Sequence, residues 1–257
     1  MSSIRYRLCI ITVLWITVTL SSSVRADDKF LLFANNSISL LTGQGFKLPG
    51  DKVSTLTLEH ASGWAWGDVY GFLDVLEFHS NPNQDSSWYG EVSPRFSLGK
   101  LAGLKFGNGL VKDVLVSTTW ERGKNGVEAL LIGAAVDLNI SGFKYFKTNL
   151  YAHHKGSFDV GADDMQITIS WARPFTVGAQ KFLLDGFLDY EFGLGSAVPN
   201  LHLVPQVKWD MGATWGAPGR FYLGTEIDIW RNQFGVRDSE TMETNQLAAS
   251  LLLKATF

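Results

Sequence analysis

The chain carries a single cysteine, Cys9, which lies in the first apolar run, so no disulfide framework can hold the molecule together. Charge is also scarce: 18% of the 257 residues are Asp, Glu, Lys or Arg, with 22 basic against 25 acidic and a formal net charge of −3. Such a balance lacks the basic footprint by which proteins hold nucleic acid, and nucleic acid is excluded as a partner. Beyond residue 27 no continuous apolar run approaches the roughly 20 residues that a membrane helix needs. What the chain has in quantity is hydrophobic residues (46%), with 9 Trp, 17 Phe and 7 Tyr, together with 26 Gly. That composition excludes a disordered chain.

Arg5 and Arg7 precede an uncharged apolar run from Leu8 to Leu20, followed by Ser21 to Ala26. The run is too short to span a bilayer as a helix, and Val24 and Ala26 place small residues where a cleavage site requires them. Residues 1–26 therefore read as a secretory signal peptide, leaving a single domain over 27–257. Removing Arg5, Arg7 and Arg25 takes away basic residues only, so the exported chain is more acidic than the whole.

An exported chain without an apolar helix enters a bilayer only as a closed barrel. The last segment shows the required pattern: Leu247, Ala249, Leu251, Leu253, Ala255 and Phe257 alternate with Gln246, Ala248, Ser250, Leu252, Lys254 and Thr256. Period-two segments recur near 30–42, 53–63, 67–77, 88–98, 110–121, 127–139, 143–154, 165–173, 182–192, 203–212, 220–232 and 245–257. The expected fold is all-β, a twelve-stranded antiparallel transmembrane barrel with both termini in the periplasm. Polar links at Thr42–Lys52, Phe78–Ser87, Lys155–Asp164, Gly193–His202 and Gln233–Thr244 fall on the external side. Tight turns at Ser62–Trp66, Ile140–Gly142 and Gly212–Gly219 lie on the other. Lys100–Gly109 is long for a turn and Arg122–Gly126 short for an external loop. Pro94 and Pro205 fall within strands, where a missing ladder donor predicts local bulges. Trp64, Trp66, Trp88, Trp120, Trp171, Trp215 and Phe221 cluster near strand ends, as an interfacial girdle requires.

With the more apolar face of each strand outward, the inward set includes Asp68, Tyr70, Phe72 and Asp74, then Glu91, Ser93 and Arg95. Asp113, Ser117, Thr119, Glu121, Asp137 and Asn139 follow, then Tyr145, Lys147, Asn149, Tyr151 and His153. The later strands add Asp185, Phe187, Asp189, Glu191, Gln206, Lys208, Asp210, Tyr222, Glu226, Asp228 and Trp230. Most of these ionisable groups must pair with one another, because an unpaired charge in a narrow pore is costly. Collectively, aromatic faces mixed with carboxylates suit a flat, hydroxyl-rich solute whose base stacks while its ribose donates. An excess of carboxylates also repels phosphates.

Leu58-Glu59-His60-Ala61-Ser62-Gly63-Trp64, running into Gly67-Asp68-Val69-Tyr70-Gly71-Phe72-Leu73-Asp74, resembles the Tsx and OmpK family of nucleoside-specific channel-forming outer-membrane proteins. Asn35-Asn36-Ser37-Ile38-Ser39, Glu91-Val92-Ser93-Pro94-Arg95-Phe96-Ser97, and Asn232-Gln233-Phe234-Gly235-Val236 with Glu243-Thr244-Asn245 are similar to family motifs in the same order. The resemblance implies a monomeric barrel in the Gram-negative outer membrane, without cofactor or metal, that passes nucleosides and deoxynucleosides passively. It implies lumen sites at Asp68, Tyr70, Phe72, Asp74, Glu91 and Arg95. Alternation alone adds Lys147, Tyr151, Lys208, Asp210, Glu226 and Asp228. Implied partners are outer-membrane lipid and lipopolysaccharide, the barrel-assembly machinery acting on the strand that ends at Phe257, and phage or bacteriocin at the external loops.

Besides a soluble periplasmic barrel, which heat-modifiable mobility and outer-membrane partition would exclude, two other readings compete. One is a surface receptor or structural barrel with little transport. The other is an outer-membrane lipid or peptide hydrolase, which would need a histidine at the rim; His79, beside Ser80 and Asp85, and His202 are its candidates. His153 and His154 are adjacent on a strand and point to opposite faces, so they do not share one metal ion.

Overall fold

A computed structural model describes residues 30–48, 50–80, 86–106, 109–156, 163–194 and 197–257. The expected signal peptide over residues 1–26, with Cys9, and Asp85 lie outside the described residues. Twelve strands form one closed antiparallel barrel in which each strand pairs with its sequence neighbours and the first with the last. In chain order they are β1 (Leu31–Gln44), β2 (Lys52–Trp64), β3 (Gly67–Phe78), β4 (Ser86–Ser97), β5 (Val111–Gly123) and β6 (Glu128–Leu138). The second half holds β7 (Tyr145–Lys155), β8 (Asp164–Val177), β9 (Gln180–Glu191), β10 (Asn200–Asp210), β11 (Phe221–Arg231) and β12 (Gln246–Thr256). One short helix, α1 (Leu98–Ala102), follows β4.

Closure is made by β1 and β12, from Ser37↔Thr256 to Gln44↔Ala249. Beyond the last rung Asn36 and Phe257 exchange backbone hydrogen bonds of 3.1 and 2.9 Å. The start of β1 and the end of β12 therefore sit at the same rim, which is the periplasmic one in barrels of this kind. The ring leaves no free edge along the closed rungs, the condition for a sheet to stand in hydrocarbon. Alternation sorts the faces as the sequence requires: Leu251 and Leu253 on β12 are 55% and 47% exposed, whereas Leu252 between them is 0% exposed.

Aromatic rings mark both interfaces. Near the periplasmic rim, Trp64 meets Phe30 and Trp66, and Trp66 stacks on Phe96. Phe175 stacks on Phe182, and Trp215 lies against Phe221, around the same rim. Trp88 and Trp120 are exposed at the external ends of β4 and β5. Ring bodies that are apolar at one end and able to hydrogen-bond at the other suit this boundary.

Three expectations are corrected. The prolines make no bulge: Val69↔Pro94 and Pro205↔Gly186 sit within continuous register. On the other side of each proline the rungs resume in the same register, at Arg95↔Ser117 after Val92↔Trp120 and at Gln206↔Glu226 after Leu203↔Ile229. The lost donor thus interrupts one ladder locally without inserting a residue, and the Thr118 hydroxyl bonds the Pro94 carbonyl at 3.0 Å. Register shifts occur instead between Leu31 and Phe33 and between Val111 and Asp113, at strand ends.

The Gly212–Gly219 link is not a tight turn. It holds a 3-10 segment, Met211–Trp215, tied down by Asp210, whose carboxylate accepts from Ala213 N at 3.1 Å and Gly219 N at 2.9 Å. Conversely, β8 runs through Pro174 to a two-residue turn with Gly178 at φ +58°. Pro174 lies past the last β7 rung, Tyr145↔Ala172, so its missing N–H breaks no ladder there. The long link after β4 begins with α1, whose first turn is capped by the Ser97 hydroxyl accepting from Lys100 N.

Candidate functional site: the lumen

The lumen candidates named from the sequence lie at inward register positions, where cross-strand bonds tie several of them together. Arg95, 4% exposed, is gripped by two carboxylates from different strands. Its Nε and Nη2 donate to Asp68 at 2.9 and 2.6 Å, and its Nη1 donates to Asp137 at 2.8 Å. Lys147 reaches the same Asp68 at 3.4 Å. A second knot places Lys208, 1% exposed, between Asp185 and the Gln206 side-chain Oε1, both at 2.7 Å. A third joins Lys254 to Glu59, which also accepts from Ser37 at 2.8 Å and Tyr70 at 3.1 Å.

These knots share one level. Arg95, Lys208 and Lys254 are close to the ends of descending strands, and Lys147 is close to the start of an ascending one. The described bases are thus concentrated at the periplasmic half, and each is committed to acids. Tyr151 is equally committed: its hydroxyl is 2.7 Å from Ser117 Oγ, and Thr119 donates to it at 3.4 Å. Asp210 serves the turn described above. Asp68, Arg95, Lys147, Tyr151, Lys208 and Asp210 therefore hold the wall, and buried ion pairs of this kind set geometry more than they add stability.

The external half is different. Asp74, Glu91, Glu121, Asp189, Glu226 and Asp228 lie there on β3, β4, β5, β9 and β11. Their partners are neutral hydrogen-bond donors in the main: Thr57 to Asp74 at 2.6 Å, Tyr89 to Glu91 at 2.8 Å, Thr168 to Asp189 at 2.5 Å and Gln206 to Glu226 at 2.6 Å. Asp228 accepts from Gln246 at 2.7 Å and meets His202 Nε2 at 3.3 Å. Glu91 is within electrostatic reach of Asp189, and Glu226 of Asp74, so carboxylates of the two walls sense each other. At this end Lys155 is bridged to Glu191.

Two aromatic tracks complete the site. On β3 and β4, Phe72 lies between Tyr70 at 6.2 Å and Tyr89 at 5.8 Å. On β9, β10 and β11, His202 stacks on Trp230 at 3.8 Å with Phe187 edge-on at 5.1 Å, and Phe234 of the last external loop meets Trp230 at 5.3 Å. In a ring of twelve strands these two groups are diametrically opposed. Tyr70, Phe72, Asp74 and Glu91 thus stand on one wall of the lumen, and Glu226 and Asp228 on the wall across the ring.

Sequence reasoning placed Phe187 and Trp230 inward but did not single them out, and it missed Glu59, Lys254 and Phe234. Glu59 shares its alternation with Thr57 and Thr55, which could have marked it; nothing local marks Phe234. His202, considered above as a rim base, faces the lumen instead. His79 is outside the lumen at the external rim, with Nε2 2.8 Å from Ser54 Oγ, while Ser80 Oγ accepts from Lys52 N. Among the described residues there is no group of His, Cys, Asp and Glu arranged to hold a metal ion.

Known proteins supply the remaining evidence. The chain is 26% identical over 190 residues to the outer membrane protein OmpK of Vibrio parahaemolyticus, a match covering 66% of each chain, just under two thirds. It is 23% identical over 222 residues to OmpK of the serotype O3:K6 strain of that organism, covering 79% of this chain and 80% of the relative. Among solved structures, the KdgM porin superposes with a TM-score of 0.50 at 12% identity over 86% of this chain and 99% of the porin, a likeness of fold. The profile of the nucleoside-specific channel-forming protein Tsx matches residues 45–257. This twelve-stranded outer-membrane channel therefore belongs to the Tsx family of nucleoside-specific channel-forming proteins.

Proposed function

We propose that the barrel conducts nucleosides and deoxynucleosides by passive diffusion, binding them weakly in the slot between the two aromatic tracks. The observation that carries this reading is the opposition of Tyr70–Phe72–Tyr89 to Phe187–His202–Trp230 across a lumen edged by carboxylates. A base offers two flat faces that stack on such rings, and ribose hydroxyls donate to Asp74, Glu91, Glu226 and Asp228. The same carboxylates disfavour a phosphorylated solute, because like charges in a confined low-dielectric space repel strongly. The uneven occupancy of the two halves supports the same picture: bases at the periplasmic end are tied to acids, while Asp74, Glu91 and Glu226 further out have neutral donors as partners.

The reading is that of a channel and not an enzyme. Its surroundings are outer-membrane lipid and lipopolysaccharide. The apolar repeat of β12, ending at Phe257, is the segment offered to the barrel-assembly machinery, and the loops at 45–51 and 232–245 are surfaces that a phage or bacteriocin would meet. Single-channel current in a planar bilayer tests the proposal, with adenosine, thymidine, glucose and AMP added in turn. Concentration-dependent block by the two nucleosides, with neither glucose nor AMP effective, is expected. Equal indifference to all four would make this a general pore.

A further inference from the structure

A cavity of about 400 Å³ opens on the bilayer side of the periplasmic rim, lined by Lys112 on β5, Leu138, Asn139 and Ile140 after β6, and the segment from Ser141 to Lys144 entering β7. None of its lining residues is acidic. Lys144 alternates with the inward Tyr145 and Lys147 and so points outward, Lys112 is the extra residue where the β5–β6 register shifts, and both lysines are exposed. Neither forms an ion pair among the described residues, whereas Arg95, Lys147, Lys155, Lys208 and Lys254 all do. The carboxylates on the same strands face the other way and are engaged: Asp113 accepts from Ser97 at 2.5 Å, and Asp137 accepts from Arg95 at 2.8 Å.

A third cation borders the cavity. The Arg173 guanidinium lies 5.6 Å from the Phe143 ring centroid, and a β-carbon placed on Gly142 would stand 3.6 Å from its Nε. From the cavity toward the bilayer centre the outward surface turns apolar, through Val114, Val136 and Phe146 to Val116 and Leu150. Uncommitted cations at headgroup depth above an apolar wall are what an anionic amphiphile requires.

We infer that this cavity binds the phosphate headgroup of an anionic phospholipid in the periplasmic leaflet, with Lys112 and Lys144 flanking the phosphate and the acyl chains lying along that wall. A zwitterionic lipid gains less from the two ammonium groups. Dissolved phosphate gains nothing from the wall.

Native mass spectrometry of the full chain in nonionic detergent tests the site, with phosphatidylglycerol and phosphatidylcholine of identical acyl chains titrated in turn. Phosphatidylglycerol should be retained in preference, and K112Q/K144Q should bind it about thirtyfold more weakly, from two near-surface lysines. K52Q, at the external rim, should bind as the parent does, and inorganic phosphate should not displace the lipid. Heat-modifiable mobility reports that the variant has folded; if it has not, K112Q alone decides, with about a fivefold loss expected. Equal retention of the two lipids, undiminished binding by the variants, or displacement by inorganic phosphate at matched concentration would overturn the assignment. No current is measured, so the result stands apart from the nucleoside reading.

Discussion

His202 and Trp230 are cross-strand partners on β10 and β11, and their rings stack at 3.8 Å with 12° between planes. Directly opposed side chains on one sheet face are the closest neighbours a barrel wall offers, so one register pair fixes a rigid aromatic platform. Asp228 holds the imidazole from the side at 3.3 Å, and Phe187 closes on it edge-on. The opposite wall has its own platform in Phe72.

Removing either platform should weaken nucleoside binding while leaving the barrel intact. Trp230→Ala and Phe72→Ala are each expected to raise the adenosine concentration for half-block about tenfold, a stacked base being worth about 1–3 kcal/mol. Asp68→Ala is a poorer probe, because both Asp68 oxygens are held by Arg95 and its loss would disturb the wall. Unchanged block in both aromatic variants would remove the tracks from the mechanism.

Charge along the pore is uneven, and reversal potentials in a salt gradient should show it. With carboxylates gathered toward the external half, the parent channel is expected to favour cations over anions. The double variant Glu91→Gln/Glu226→Gln should shift the reversal potential toward zero. A parent channel that prefers anions would contradict the charge layout.

Arg95 is the strongest structural commitment in the lumen. Arg95→Met leaves Asp68 and Asp137 facing each other without their shared cation, a loss of about 3–5 kcal/mol where a buried pair is broken from one side. Guanidinium unfolding followed by tryptophan fluorescence is the measurement, and a midpoint equal to that of the parent would show the pair to be dispensable.

The external loop before β12 has an acid-sensitive anchor. Backbone hydrogen bonds from Thr244 and Asn245 to Asp238 hold its carboxyl below the usual range. A depressed pKa means that the contribution is present above the unfolded value and fades as pH falls through the folded one, so this loop should loosen only in strong acid. Asp238→Asn should bring faster exchange of the Thr244 and Asn245 amides at neutral pH. The neighbouring Lys47 is raised by its hydrogen bond to Glu243, so that link is lost as pH rises through the folded lysine value.

Gly186 faces Pro205 across β9 and β10 with φ +151°, and a β-carbon there would fall on the Val204 carbonyl oxygen. Gly186→Ala is therefore expected to lower refolding yield, read as a smaller heat-modifiable fraction on gels. Parental yield would mean that the strand can yield locally.

Strand count, strand faces and most strand ends were legible in the sequence because alternation is a local property with a period of two. Within a few residues the segments read from 53–63, 67–77 and 182–192 are β2, β3 and β9. The proline bulges were misjudged because a strand sequence does not reveal which neighbour needs the missing N–H. The Gly212–Gly219 link was misjudged because glycine density signals a turn without telling a two-residue turn from a 3-10 segment anchored by Asp210. The lumen set was mostly legible, whereas the roles within it were not: Asp68 and Asp74 look alike in sequence, yet one is tied to Arg95 and the other to a threonine.

By itself the sequence determined that this chain has twelve alternating strands and an inward face richer in carboxylates than in bases. Which inward residues meet was decided by closure. Pairing β1 with β12 brings Glu59 to Lys254, 195 positions away, and sets β3 and β4 across the ring from β9, β10 and β11. Alternation fixes the side of the sheet on which a residue stands; only the register of a closed ring fixes what stands opposite.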